Sequence, residues 1–199
     1  TMLPKAVAEE LKEKGQSQPQ DFPAVSILFS DLVDFTEKSQ RFDPPALIAE
    51  LNELFSGFDA IMTRHGCERI KTIGDAYFGV CGMPLPDPDH CLKMVRAAAD
   101  MVAFLKERNR NHHTAWEIRI GIHSGPVVVG IVGTNRFVYD VFGDTVNTAS
   151  RMEAKSLPMR INLSKASRDL LGNEFTFEER PPMEVKGKGE MAMFFVGEA

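Results

Sequence analysis

Arg69-Ile70-Lys71-Thr72-Ile73-Gly74-Asp75-Ala76-Tyr77-Phe78-Gly79-Val80-Cys81 decides how the chain folds. Two runs rich in β-branched and aromatic residues flank Gly74-Asp75, which reads as a two-residue hairpin loop. Upstream, Leu47, Leu51, Leu54, Phe55, Phe58, Ile61 and Met62 trace one apolar stripe. Pro44-Pro45 at its start and Gly66 at its end predict a long helix over Asp43 to Gly66. Downstream, Met94, Ala98, Met101, Val102 and Leu105 predict a second long helix over Asp89 to Arg110.

Outside these helices lie a strand at Val25–Ser30, ending at Asp31, and strands at Glu117–His123 and Val127–Val132, separated by Ser124-Gly125-Pro126. Strand, helix, hairpin, helix, strand is the split βαβ order of a ferredoxin-like sheet. The fold class is therefore α/β (α+β), a βαββαβ sheet with C-terminal αβ additions. In that fold helices cover one face of the sheet and leave the other free for a ligand or partner.

The C-terminal additions begin with Val138–Phe142, read as a strand, followed by the turn Gly143-Asp144 and a helix from Thr145 with Asp144 as its N-cap. Asn147 and Arg151 lie four apart and project from one face of that helix. A neutral donor-acceptor beside a fixed cation suits a phosphate or a developing oxyanion. A strand at Arg160–Leu163, a short helix at Ser164–Leu171, a strand at Phe175–Glu179 and a final pair around Lys186–Gly189 complete the chain. At the N-terminus, residues 3–15 form a short amphipathic helix and Gln16–Pro23 a polar linker. Residues 1–22 are thus assigned to a linker and dimerisation helix, and 23–199 to one catalytic domain.

Composition narrows the function. A net charge of −5 gives no footprint for nucleic acid. No apolar run reaches the length of a membrane span. Cys67, Cys81 and Cys91 have no metal-ligand spacing and read as small core residues in a reducing, cytoplasmic compartment. Asp31 and Asp75 each sit beside the first strand or the hairpin, which are neighbours in a ferredoxin-like sheet. Two carboxylates brought together repel, and a pair of Mg²⁺ ions would relieve that charge.

Phe29–Thr36, Lys71–Tyr77, Arg119–Gly125, Val138–Met152 and Val185–Gly189, in unbroken order, resemble the signature segments of class III nucleotidyl cyclases. Leu3–Leu11 is similar to the helix that precedes the catalytic domain in receptor-type members. The resemblance implies that Asp31 and Asp75 hold two Mg²⁺ (or Mn²⁺) ions, with help from the Leu32 carbonyl. It implies that the turn from Val33 through Phe35 and Thr36 holds the triphosphate, with Arg136 a further phosphate contact. Lys71 and Asp140 match the base-reading pair of adenylyl cyclases, and Lys186 the lysine for the terminal phosphates. Asn147 and Arg151 match the residues that orient the ribose and stabilise the transition state.

The implied activity is conversion of ATP to 3′,5′-cyclic AMP and pyrophosphate by a head-to-tail homodimer, with an upstream sensor or membrane domain in the full-length protein. Metal aspartates would come from one subunit and Lys71, Asp140, Asn147, Arg151 and Lys186 from the other. Guanylate cyclases, which typically carry Glu and Cys at the base-reading positions, are the near alternative. A non-catalytic regulatory half is the other. One position departs from the family pattern: Asp34 stands where glycine is usual.

Overall fold

The computed structural model describes residues 5–133 and 138–197, with side chains from residue 8 onward. Arg136, expected as a phosphate contact, lies outside the described residues. The chain runs α1 (Lys5–Lys14), β1 (Gln20–Leu32), α2 (Phe35–Ser39), α3 (Pro44–Arg64), β2 (Glu68–Ile73), β3 (Ala76–Cys81), α4 (His90–Asn109) and β4 (Ile118–Val132). Then follow β5 (Val138–Phe142), α5 (Asp144–Ala154), β6 (Ile161–Ser164), α6 (Lys165–Asp169), β7 (Phe177–Val185) and β8 (Gly189–Val196). One sheet takes the order β2-β3-β1-β4-β6-β8-β7, with β5 added to β4. The split βαβ order and the hairpin at Gly74-Asp75 are as the sequence predicts.

The two long helices form for the reasons their sequences give. The Asp43 carboxylate accepts from the Ala46 N–H at 2.9 Å, capping α3, and the prolines occupy its first turn. Leu54, Phe58, Ile61 and Met62 of α3 pack with Met94, Ala98, Met101 and Leu105 of α4 over Leu28, Ile118, Ile120 and Ile122 of the sheet.

Four sequence expectations are corrected. The segment read as a linker already belongs to the sheet from Gln20, which pairs with Val129; a register shift between Phe22 and Val25 accommodates Pro23, which has no N–H to donate. The strands expected on either side of Ser124-Gly125-Pro126 are one strand, β4. Along its far edge β4 pairs with β6 at Ile120–Ile122 and with β5 at Val128–Val132, so Pro126 falls in the gap between them. Gly143, not Asp144, is the N-cap of α5, with φ 133°. Finally, the second face of the sheet is not free. A Cβ added to Gly121 would lie 1.9 Å from the Glu153 nitrogen, so α5 lies directly on β4 there. Ala149 joins a second apolar cluster with Val25, Ile27, Phe78, Val127 and Val129.

Candidate active site

Two groups of polar side chains stand out, and different elements position each. The first lines a cavity of about 450 Å³ formed by Asp31, Leu32, Asp34, Phe35, Thr36, Glu37, Asp75 and Arg119. Asp31 sits near the end of β1 and Asp75 in the β2–β3 turn, and β1 pairs with β3 so that Ser30 faces Tyr77. The Leu32 N–H donates to Asp75 Oδ2 at 3.1 Å, tying the turn to the strand. Burial raises the Asp75 carboxyl above the usual range, and the charge of Asp31 pushes the same way.

Arg119 and Glu153 belong to this group too, although motif reading gave neither a role. Asp31 faces Arg119 in the β1–β4 register, and the guanidinium donates to both Asp31 oxygens at 3.2 and 3.3 Å. That pairing holds Arg119 above its ordinary pKa. Glu153 approaches from α5, with Oε1 3.8 Å from Arg119 Nε, buried and without a hydrogen-bond partner among the described residues. Burial and then Asp31 push its carboxyl up to about 8. A charged residue on the sheet-facing side of an amphipathic helix was the signal for Glu153.

Asp34, the departure noted above, has φ 55° and ψ 32°, the left-handed region that favours glycine. Its side chain is exposed and makes no capping bond to α2.

The second set lies on β2, β5, α5 and the β7–β8 turn. Lys71 donates to Asp140 Oδ2 at 2.6 Å, while the Val141 N–H donates to Asp140 Oδ1 at 2.9 Å. Asn147 and Arg151 are exposed one turn apart on α5. Lys186 is exposed in the β7–β8 turn, where its neighbour Lys188 pairs with Asp144 at the start of α5. Among the described residues, no hydrogen bond or ion pair joins Asp31 or Asp75 to Lys71, Asp140, Asn147, Arg151 or Lys186.

Among the described residues no cluster of three or more His, Cys, Asp or Glu is arranged to hold a metal. Two carboxylates and a backbone carbonyl are nevertheless hard oxygen donors, the set that suits Mg²⁺ when substrate phosphates complete its shell. No described helix is long and apolar enough to cross a membrane.

Comparison with known proteins matches residues 17–198 to the family of adenylate and guanylate cyclase catalytic domains. The chain is 39% identical over 196 residues to an adenylate cyclase of Mycobacterium tuberculosis, covering 98% of this chain and 44% of that protein. It is 41% identical over 197 residues to the guanylate cyclase soluble subunit beta-2 of Rattus norvegicus, covering 98% of this chain and 29% of that protein. The chain thus spans less than half the length of these curated relatives. Among solved structures, the catalytic core of a rhodopsin-guanylyl cyclase with converted specificity, in complex with ATPαS, superposes with a TM-score of 0.84 at 39% identity, covering 90% of this chain and 98% of that one.

Proposed function

The chain belongs to the family of adenylate and guanylate cyclase catalytic domains, and from that membership we propose that it is an adenylate cyclase, forming 3′,5′-cyclic AMP and pyrophosphate from ATP. The Lys71–Asp140 pair carries the choice of base. Adenine offers an acceptor at N1 and a donor at its exocyclic amine, which a lysine and a carboxylate complement. Guanine presents N1–H and O6, and would meet donor with donor and acceptor with acceptor. A related guanylyl cyclase core of converted specificity has been captured with ATPαS, so this scaffold accepts adenine nucleotides when its specificity is changed.

Asp31, Asp75 and the Leu32 carbonyl would hold two Mg²⁺ or Mn²⁺ ions, which when bound supply Lewis-acid activation of the ribose 3′-hydroxyl and charge neutralisation for the leaving pyrophosphate. The remaining roles fall to the chain itself. The backbone from Val33 to Thr36 donates to the triphosphate, and the Arg119 guanidinium lines the same cavity. Lys186 meets the terminal phosphates. Asn147 orients the ribose so that its 3′-oxygen is in line with the α-phosphorus. Arg151 presents its fork of donors to charge growing on the α-phosphoryl oxygens, a contact of a kind worth about 3–4 kcal/mol.

Among the described residues no hydrogen bond or ion pair joins the two groups, which is in keeping with a head-to-tail homodimer that completes two equivalent shared sites. Val128, Val132, Val138 and Phe142 expose 37–57% of their surface on the β4–β5 ribbon, an apolar surface suited to the partner subunit. We assign the chain from Gln20, where β1 begins, to this cytoplasmic catalytic unit and the preceding helix to the link with an upstream domain.

A guanylate cyclase is the second reading, favoured by the 41% identity to the rat protein. Assaying cyclic AMP and cyclic GMP formation from ATP and GTP, with Mg²⁺ and with Mn²⁺, separates them. Cyclic AMP as the main product supports the proposal; a preference for GTP with both metals overturns it.

A further inference from the structure

The hairpin that carries Lys71 and Asp75 ends, away from its turn, at two sulfurs. Glu68 pairs with Val80 and Arg69 with Gly79, and the same register carried one step outward sets Cys67 opposite Cys81. The Cys67 N–H is not spent across this ladder; it donates to the Met62 carbonyl at 2.8 Å. Residues that face one another in an antiparallel ladder have Cα atoms about 4.5–5.5 Å apart. That separation lies within the roughly 4.4–6.8 Å that a disulfide spans.

The side chains use this proximity. The Cys67 thiol donates to the His65 carbonyl at 3.8 Å and the Cys81 thiol to the Gly66 carbonyl at 3.6 Å, so both sulfurs close on the same turn after α3. The neighbouring thiol raises Cys67, with burial adding to it, and lowers Cys81. The Lys93 ammonium favours the thiolate at both, and the Asp87 carboxylate paired with it opposes this at both, more strongly than Lys93 at Cys81. Both cysteines are buried and reduced. Cys67 nevertheless lines a cavity of about 440 Å³ together with Gly66, Met83 and Leu85, and Leu85 is 80% exposed. A molecule the size of a peroxide has room there. Cys91 has a different setting: its thiol donates to the Ser167 carbonyl at 3.4 Å on the buried side of α4.

We propose that Cys67 and Cys81 are a modification site, a dithiol that a small hydroperoxide such as hydrogen peroxide converts to a cross-strand disulfide. The sulfur of one thiolate attacks a peroxide oxygen, the O–O bond breaks, and a sulfenic acid and hydroxide result, the hydroxide taking up the proton that the thiol released to become water. The second thiol attacks that sulfur, the S–S bond forms, and the sulfenic hydroxyl leaves with the thiol proton as a second water. The two sulfurs together lose two electrons and the peroxide oxygens gain them. A dithiol reductant reverses the change. The link would pin β2, whose sole neighbour in the strand order is β3. None of this depends on which nucleotide the protein binds.

The test uses the unmodified 199-residue chain, treated with hydrogen peroxide at neutral pH, alkylated and mapped without reduction. The expected result is loss of two hydrogens in intact mass, one linked peptide pair containing Cys67 and Cys81, and an alkylated Cys91. Dithiothreitol should restore the original mass, and Cys67→Ser should lack the linked pair. The proposal is overturned if Cys67 and Cys81 both remain alkylatable, if they reach only sulfinic or sulfonic acid, or if the link recovered involves Cys91.

Discussion

The Lys71 ammonium stands 2.6 Å from the Asp140 carboxylate, joining β2 to β5, two strands that the sheet connects only through β3, β1 and β4. The pair exposes 35% and 17% of its side chains, enough to offer its hydrogen-bonding edges to a base. Reversing that pattern should reverse the choice of purine. Lys71→Glu with Asp140→Cys is expected to shift the ratio of kcat/KM for ATP over GTP by at least ~10², since sites that hydrogen-bond a substrate discriminate by up to ~10⁴–10⁵. Unchanged ATP preference in the double variant would remove these residues from the base site.

Asp34 places a carboxylate beside Asp31, Glu37 and Asp75 in the cavity assigned to the triphosphate, on a backbone of φ 55°. Asp34→Gly removes one negative charge and relieves the left-handed strain. The nucleotide KM should fall about 2–5-fold, the effect of one charge felt at roughly 1 kcal/mol through partly hydrated surroundings. Since no reacting group is touched, kcat should stay constant. Steady-state kinetics decide, and an unaltered KM would mean that solvent screens Asp34 from the phosphates.

Gly121 allows α5 to rest on β4, because a methyl group there would meet the Glu153 nitrogen at 1.9 Å and the Met152 carbonyl carbon at 2.4 Å. Backbone cannot yield as a flexible side chain does. Gly121→Ala should therefore cost at least about 2–3 kcal/mol, seen in calorimetry as a Tm lower by roughly 5 °C or more for a chain of this size. A Tm within a degree of the parent would contradict the close approach of helix and strand.

His90 is buried, and its Nδ1 is 2.7 Å from the Ser26 hydroxyl. Burial lowers its pKa below the ordinary 6.5, with the Asp87 carboxylate opposing. The unfolded chain then binds a proton at a higher pH than the folded one, so its contribution to stability is whole above about 6.5 and is lost as pH falls through the lowered folded value. Between pH 7.5 and 5.5, Tm should drop more in the parent than in His90→Gln. Equal slopes would show that His90 does not titrate with unfolding.

The hairpin and its two helices were legible because local chemistry specifies them: a Gly-Asp turn, prolines opening the first helix and an apolar stripe on each helix. What escaped depends on partners distant in sequence. Pro126 reads as a strand break until β5 and β6 are seen to leave a gap opposite it. Arg119 gains its place only through the register that sets it against Asp31, and Glu153 only once α5 lies on the second face of the sheet. The glycine expected at Asp34 has a plain physical reason in the left-handed backbone found there.

A mixture of two inactive variants tests the shared-site account most directly. Asp75→Ala removes a carboxylate from the metal group and Arg151→Ala removes the cation from α5, and each alone should lower cyclic AMP formation by ~10² or more. In a head-to-tail dimer, the mixed pair holds one site with both defects and one with neither. Equimolar mixing should therefore restore about a quarter of the parent activity, since about half the dimers are mixed and each carries one intact site of two. A mixture no more active than its components, although the chains exchange, would contradict it.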